Sequence, residues 1–441
     1  MSTNQSDIVI VGSGINSLVA GALLARKGKS VTILERNDRP GGCIRTDEIT
    51  LPGYIHDVLS GFYPLFTTGP AYGELGTALA EAGLAFSNTP TPTGVLLPDG
   101  RATILTSERE ENVRLMNSLC DGDGDRYAAS LKSLEENAPL VLGLLGNEPW
   151  RWSTARLLAG KAWRMGPLNL AAFFGDAMGN CRNWLTGTFE SDLNRALLAP
   201  WILHTGLGPD ATLSGLMSKL IAFTLEATGM PVVEGGSMKL VEAFSTLLDR
   251  HGSGIVCNAD VAEVLVDSKR ATGIRTEDGR IFKAREAVIC NVTPPQLYGR
   301  LTGAADIPEK VRTSAADYRF GRADMQIHLA LDGPVSWPDA RLNDAAMIHV
   351  TPGLDGVARA VGEADRGLLP AEATIVVAQP SALDPSRAPD GKAVLWLQLQ
   401  ELPAHVRGDA CGEITIPADG QWTEDLRERY ADRIIDRLTG Q

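Results

Sequence analysis

The stretch that most constrains the fold is residues 7 to 46, DIVIVGSGINSLVAGALLARKGKSVTILERNDRPGGCIRT. It reads as a strand, a glycine turn, a helix and a second strand that ends in an acid. Asp7 to Val11 is a short β-branched run, followed at once by Gly12-Ser13-Gly14. A strand that turns directly into a helix aims the unpaired N–H groups of that helix, and its partial positive charge, at whatever lies over the turn. A diphosphate fits there, against Ile15, Asn16 and Ser17. Gly12 permits the tight turn and Gly14 lets backbone approach phosphate, while Ala20, Gly21 and Ala25 are small enough for the helix to lie close on the sheet. Ser17 stands where the third glycine of the fingerprint belongs. Ser30 to Leu34 is the second strand, and Glu35, 23 positions after Gly12, is placed to accept bonds from ribose hydroxyls.

A glycine turn alone is weak, because many such turns bind nothing. Here strand, turn, helix, strand and acid come in the required order. Arg39-Pro40-Gly41-Gly42 then adds a cation and a second flexible glycine pair just past Glu35-Arg36. That continuation suits FAD, whose reach exceeds one βαβ unit, better than NAD. The expected cofactor contacts are therefore Gly12, Ser13, Gly14, Ile15, Asn16, Ser17, Glu35, Arg36, Arg39, Gly41 and Gly42.

With these residues in view, the sequence resembles the FAD-dependent phytoene-desaturase-like oxidoreductases, relatives of the flavin amine oxidases within the glutathione-reductase-like fold. The resemblance covers nearly the whole chain. Besides GSGINSLVAGALLARKG and LERNDRPGGCIRT it includes LPGYIHD (51 to 57), VVEGGSMKLVEAF (232 to 244), the hairpin at Asp278-Gly279, and PSALDPSRAPDGKAVLWLQL (380 to 399). It implies that Val261 offers backbone bonds to the adenine and that residues 50 to 75 lie under the flavin. There are two departures. Cys43 sits where the amine-oxidase branch usually has arginine, and no second glycine motif follows residue 300. Family members continue past their last helix into a strand, glycine-rich turn and helix that cover the flavin. The resemblance thus implies a small partner chain supplying that unit, a fragment, or an unusual mode of holding FAD.

Composition bounds the remaining classes. At 441 residues, with 44% hydrophobic and 22% charged, the chain is an ordinary globular protein of two or three domains. The net charge of -13 argues against nucleic acid and against electrostatic attachment to an anionic bilayer. Six scattered cysteines without a CxxC argue against disulfide redox chemistry and zinc, and no metal is expected. MSTNQSD has no export pattern, and no window approaches 18 uninterrupted apolar residues, so the expected address is the cytoplasm. Asp121-Gly-Asp-Gly-Asp125 opens like a calcium loop but continues wrongly, with Lys132 at its twelfth place; an N-cap for a helix beginning near Arg126 is expected instead.

The expected architecture is α/β: a Rossmann-like FAD-binding domain with a parallel sheet, residues 1–75 and 230–300, plus an α+β substrate domain with an antiparallel sheet, residues 76–229 and 301–441. Residues 125–229 form its helical cap and carry Trp150, Trp152, Trp163, Trp184 and Trp201. Helix packing is the expectation for most of these tryptophans, although Lys161, Arg164 and Arg182 among them keep a peripheral membrane contact in view. The last helix, from about Trp422, has an apolar stripe of Leu426, Tyr430, Ile434 and Leu438 that needs a cover, for which a partner chain is the candidate. His56 and Tyr63 are expected to cap a turn and fill core, and no catalytic residue is singled out.

The expected activity is removal of hydride from an apolar small molecule by FAD, with no metal cluster or triad, because the chemistry belongs to the cofactor. Two rivals share the fold: a flavin amine or amino-acid oxidase, and a non-enzymatic lipid escort resembling the Rab GDP-dissociation inhibitors.

Overall fold

The structure, a computed structural model, describes residues 4–148, 150–303 and 307–440. The chain packs into two compact units. The first comprises Met1–Ser87, Pro231–Phe320 and Asp384–Val394, and the second Asn88–Met230, Gly321–Leu383 and Leu395–Gln441.

The first unit is built on a six-stranded sheet. Strand β1 (Gln5–Val11) lies between β2 (Val31–Leu34) and strand Ile281–Cys290, parallel to both, and β2 pairs in parallel with Gly254–Val256. Strands Val261–Asp267 and Arg270–Thr276 extend the sheet antiparallel through the turn at Gly279. Residues 287 to 290 are half-buried rather than the buried strand their apolar run suggested, with Ala287 and Ile289 packed on one face and Val288 and Cys290 on the other.

Helix α1 (Ile15–Arg26) and helix Met238–Arg250 pack on one face of the sheet with Ile8, Ile10, Val31 and Ile33. A Cβ on Gly21 would lie 2.9 Å from Ile33 Cδ1 and 3.4 Å from Leu248 Cδ2, so a larger residue there would push these side-chain ends aside. The small residues buried on the inner face are Gly21, Ala22 and Ala25, and Ala20, half-buried, packs against the same cluster.

Helix Met238–Arg250 has its first donors satisfied by side chains from a distant segment. Ser237 N–H bonds Asp57 Oδ1 at 2.8 Å and Met238 N–H bonds Thr46 Oγ1 at 3.0 Å. Asp57 is held in turn by Arg387, whose guanidinium is fully buried and donates to Asp57 Oδ2 (3.0 Å), Asp384 Oδ2 (2.8 Å) and Val233 O (2.7 Å). Asp384 also accepts from Gly235 N–H at 2.8 Å. Three motifs far apart in sequence meet at one arginine.

The second unit has a six-stranded sheet in the order Ala323–Leu331, Ala393–Leu402, Ile375–Ala378, Met347–Val350, Thr93–Leu96, Ala102–Leu105. It is antiparallel at three ladders, but Met347–Val350 and Thr93–Leu96 run parallel, so the sheet is mixed. Leu395, Leu397 and Leu399 are buried, as their period of two implies. The last helix is Glu424–Thr439, capped by Thr423, which accepts from Leu426 N–H at 3.2 Å. Its stripe is already covered: Leu426, Tyr430 and Ile434 are buried against Leu369, Ile375 and Leu397 of the same unit, with Leu438 packed beside them. The expectation that this stripe awaits a partner is overturned.

Two further expectations change. The helix placed near Arg126 begins at Asp123, and Asp123 serves another segment, accepting from Glu190 N–H, Ser191 N–H and Asn194 Nδ2. Packing holds for two of the five tryptophans rather than for most: Trp184 and Trp201 are buried, but Trp150, Trp152 and Trp163 are 97%, 81% and 91% exposed. Among the described residues no helix is long and apolar enough to cross a membrane.

Two stability outcomes follow. Arg387→Ala leaves Asp57 and Asp384 buried without a counter-charge and should lower unfolding stability by about 3 to 5 kcal/mol; chemical denaturation checks it, and Arg387→Lys should rescue little, since an ammonium lacks the three-way fork. Glu401 in the second unit is fully buried, and burial pushes its carboxyl up to about 7 although Thr374 N–H bonds it. A carboxyl raised above its ordinary value of 4.5 contributes its full stability below that pH and loses it as pH climbs toward about 7. Glu401→Gln should therefore raise the melting temperature at pH 8, by on the order of 3 kcal/mol in stability, and give no gain below about pH 4.

Candidate cofactor site

The site grows from the turn after β1. Gly12 N–H bonds Leu34 O at 2.8 Å, which ties the turn to the end of β2, and Gly12 adopts φ +87° with Asn291 O only 3.1 Å from where a Cβ would be. Gly14 is the N-cap of α1 and offers no side chain to its first turn. Ser17 and Leu18 N–H both reach Gly14 O, whereas Ile15 and Asn16 N–H have no acceptor within the described residues. Two orphan donors at the positive end of a twelve-residue helix form an anion seat.

Ser13 organises what surrounds the seat. It is fully buried, its hydroxyl donates to Glu35 Oε2 at 2.5 Å and accepts from Gly41 N–H at 2.9 Å, and its own N–H reaches Glu35 Oε2 at 3.2 Å. Glu35 Oε1 takes the N–H and amide of Asn37 at 3.0 and 2.8 Å. All the ordinary acceptor positions of this carboxylate are thus used inside the chain. The acid at the end of β2 braces the glycine turn and the Gly41-Gly42 loop, and Asn37, exposed, is its one partner at the rim.

The second glycine pair closes on the first. A Cβ on Gly42 would meet Gly14 Cα at 3.0 Å, and one on Gly41 would meet Ile44 O at 2.5 Å; both glycines have positive φ, at +62° and +125°. Gly14 differs. Its φ is -61°, and a Cβ there would find only Asn291 Nδ2, at 3.6 Å. The protein itself has room for a Cβ at Gly14, so its own packing does not require glycine there.

Of the sequence-derived residues, Gly12, Ser13, Gly14, Glu35, Gly41 and Gly42 converge directly, with Ile15 and Asn16 offering the free donors. Ser17 is buried and its hydroxyl meets Asn291 Nδ2 at 3.0 Å. Arg39 is held by Asp47 at 2.7 Å. Burial pushes the Asp47 carboxyl up, but bonds from Arg39 and Arg45 outweigh it and hold the acid below the carboxylate range. Arg36 is exposed and makes no ion pair among the described residues. Val261 opens its strand in the cluster of Val9, Val11, Leu34 and Ala259. Asn291 and Asn37 were missed by sequence reasoning. The signal for Asn291 was its place at the carboxyl end of a strand parallel to β1, where open α/β sheets bind ligands.

A second polar cluster, also missed, lies within the other unit. His204 and His349 approach Nε2 to Nε2 at 3.2 Å, and Trp201 stacks on His204 at 4.6 Å. Burial pushes His204 down to about 4 and His349 well below its ordinary value, so both are neutral at pH 7 and one ring donates to the other.

Comparison with known proteins agrees with this geometry. Residues 18–432 match the profile of the family described as flavin containing amine oxidoreductase, and the chain belongs to that family. Pyridine nucleotide-disulfide oxidoreductase domain-containing protein 2 of Rattus norvegicus is 26% identical over 98% of this chain and 78% of its own length. A limonene dehydrogenase subunit of Castellaniella defragrans is 23% identical over 69% of this chain, and the zeta-carotene-forming phytoene desaturase of Myxococcus xanthus 26% over 68%. The chain spans only 55% and 56% of those two relatives. The crystal structure of an oxidoreductase from Methanosarcina mazei shares the fold, with TM-score 0.64 at 17% identity, over 98% of this chain and 84% of that one. The protein is a phytoene-desaturase-like flavin oxidoreductase.

Ser13→Ala removes the acceptor of Gly41 N–H and the hydroxyl donor to Glu35 in a buried setting. It should cost about 1 to 3 kcal/mol of stability, measured by denaturant unfolding of the flavin-free protein.

Proposed function

We propose that the flavin is FAD and that the protein removes hydride from an apolar organic substrate, as a dehydrogenase or desaturase. The observation that carries the cofactor assignment is the Gly14 seat, where the fold leaves space for a Cβ that the sequence does not use, beside two unpartnered N–H groups. In this reading Ile15 and Asn16 N–H hold the diphosphate, and Gly14 and Gly42 let it approach. A ribose hydroxyl that reaches Glu35 takes the place of the exposed Asn37 amide. A bound flavin supplies the hydride acceptor. The chain's part is to orient the substrate and exclude water. The substrate class is supported by relatives named for limonene and phytoene, both apolar compounds.

We extend the proposal to a partner chain that contributes to the flavin site. Its support is that one relative, matched over 69% of this chain, is by name one component of a larger enzyme. The partner has to act elsewhere than on the stripe of the last helix, which is already buried.

Titration of the purified chain with FAD, followed by flavin fluorescence and absorbance, tests the first reading. Gly14→Val should weaken binding by at least roughly tenfold, because its side chain fills the volume a diphosphate needs, with the melting temperature of the flavin-free protein unchanged. Full flavin occupancy in Gly14→Val would sink the assignment. The partner reading is separate: it predicts weak flavin retention by the chain alone and recovery with a small chain encoded beside it, and stoichiometric FAD with turnover in a homogeneous preparation removes it while leaving the cofactor in place.

A further inference from the structure

Helices Trp152–Met165 and Pro167–Ala177 of the second unit turn at Gly166, which has φ +83° and caps both. They form a hairpin with an apolar exterior. Trp150, Trp152 and Trp163 are almost wholly exposed, Leu168 is 84% exposed and Met178 57%. Positions 152, 156, 159 and 163 fall on one stripe of the first helix, and Leu168, Ala171, Ala172 and Gly175 make a second exposed stripe of small and apolar residues on the other. A soluble surface rarely gathers so much apolar area without a use for it.

The charges around this surface say what that use is. Between residues 150 and 178 there are four basic residues and a single acid, Asp176, in a chain whose net charge is -13. Arg151 pairs with Glu148, and Asp176 with Lys219. Arg156, Lys161 and Arg164 carry no ion pair among the described residues, and Arg156 sits between Trp152 and Trp163 on their stripe. Arg182, grouped with these residues on sequence, is excluded because Asp210 and Asp355 hold it. Indole rings beside unpaired cations match a lipid–water interface, where rings settle at headgroup depth and the cations meet anionic phosphates.

We propose that this hairpin is a membrane-docking element that lies in the headgroup layer of an anionic bilayer. A protein partner would also favour tryptophan and arginine, but hot spots sit in shaped pockets ringed by other contacts. Here the rings of Trp152 and Trp163 stand exposed on their helix, and the exposed residues between them on that stripe, Arg156 and Ala159, are cationic or small. Such docking would bring the enzyme to where apolar compounds partition, and it does not depend on the cofactor assignment.

Flotation of the full chain with phosphatidylcholine vesicles, and with the same vesicles containing phosphatidylglycerol, tests it. Binding is expected to the anionic vesicles and to fall with added salt. Trp152→Ser combined with Trp163→Ser should weaken it by roughly tenfold or more, and Arg156→Gln with Arg164→Gln by roughly fivefold per charge, with melting temperature and FAD titration as in the parent protein. Vesicles carrying brominated acyl chains should quench tryptophan emission in the parent and much less in the double tryptophan variant. Absence of binding to anionic vesicles, binding indifferent to both sets of substitutions, or a protein that protects these tryptophans while vesicles do not, each overturns the proposal. Because flavin binding is read in the same samples, a failure here is distinct from a failure of the FAD assignment.

Discussion

The first unit depends on burying one arginine. A guanidinium without water is tolerable only when its donors are matched, and Arg387 is matched by two carboxylates and a backbone carbonyl from segments as much as 330 residues apart in sequence. The same acids then do a second job. Asp57 takes a first-turn N–H of helix Met238–Arg250, and Asp384 fixes the N–H of Gly235 in the turn before it. Charge compensation and helix capping are therefore one network. The segment Asp384–Val394, which rejoins the first unit late in the chain, is needed to close it.

The cofactor seat works by the opposite principle, since most of its shape comes from side chains that are missing. Gly12, Gly41 and Gly42 are required by the fold itself, through positive φ or a backbone atom too near for a Cβ. Gly14 is not, and that difference separates folding constraint from ligand constraint within a single motif. Glu35 shows the same overlap from the polar side. Its carboxylate braces Ser13 and presents Asn37, so the residue that sequence logic assigns to a ribose already has structural work.

The β1–α1–β2 unit was legible because its signals are local: a β-branched run, glycines at a turn, small residues at helical spacing and an acid at a fixed distance. Ser13 as a hub was not, because its partners lie 22 and 28 residues away and a serine in a turn usually serves its own backbone. Arg387 lies in one of the stretches that carry the resemblance, but nothing marked it as buried, since arginine is among the residues least often fully buried. For helix Glu424–Thr439 the stripe was readable, but an amphipathic pattern states only that something covers the face. The partner turned out to be the sheet of its own unit. The tryptophans failed for a related reason: burial is the usual fate of that residue type, and exposure is decided by whether tertiary packing reaches the helix that carries it.

Net charge is a coarse guide for a similar reason, because it is summed over a molecule while recognition is local. At physiological ionic strength the screening length is about 8 Å, shorter than the hairpin itself, so acids elsewhere on the surface contribute little to the field above Arg156 and Arg164. A chain of charge -13 can thus present a cationic, aromatic face to an anionic surface, while its remaining acids keep the rest of the molecule in solution. Sequence averages describe the long-range character of the protein; the contacts that select a surface are set within a few ångströms, by which side chains the fold leaves unpaired.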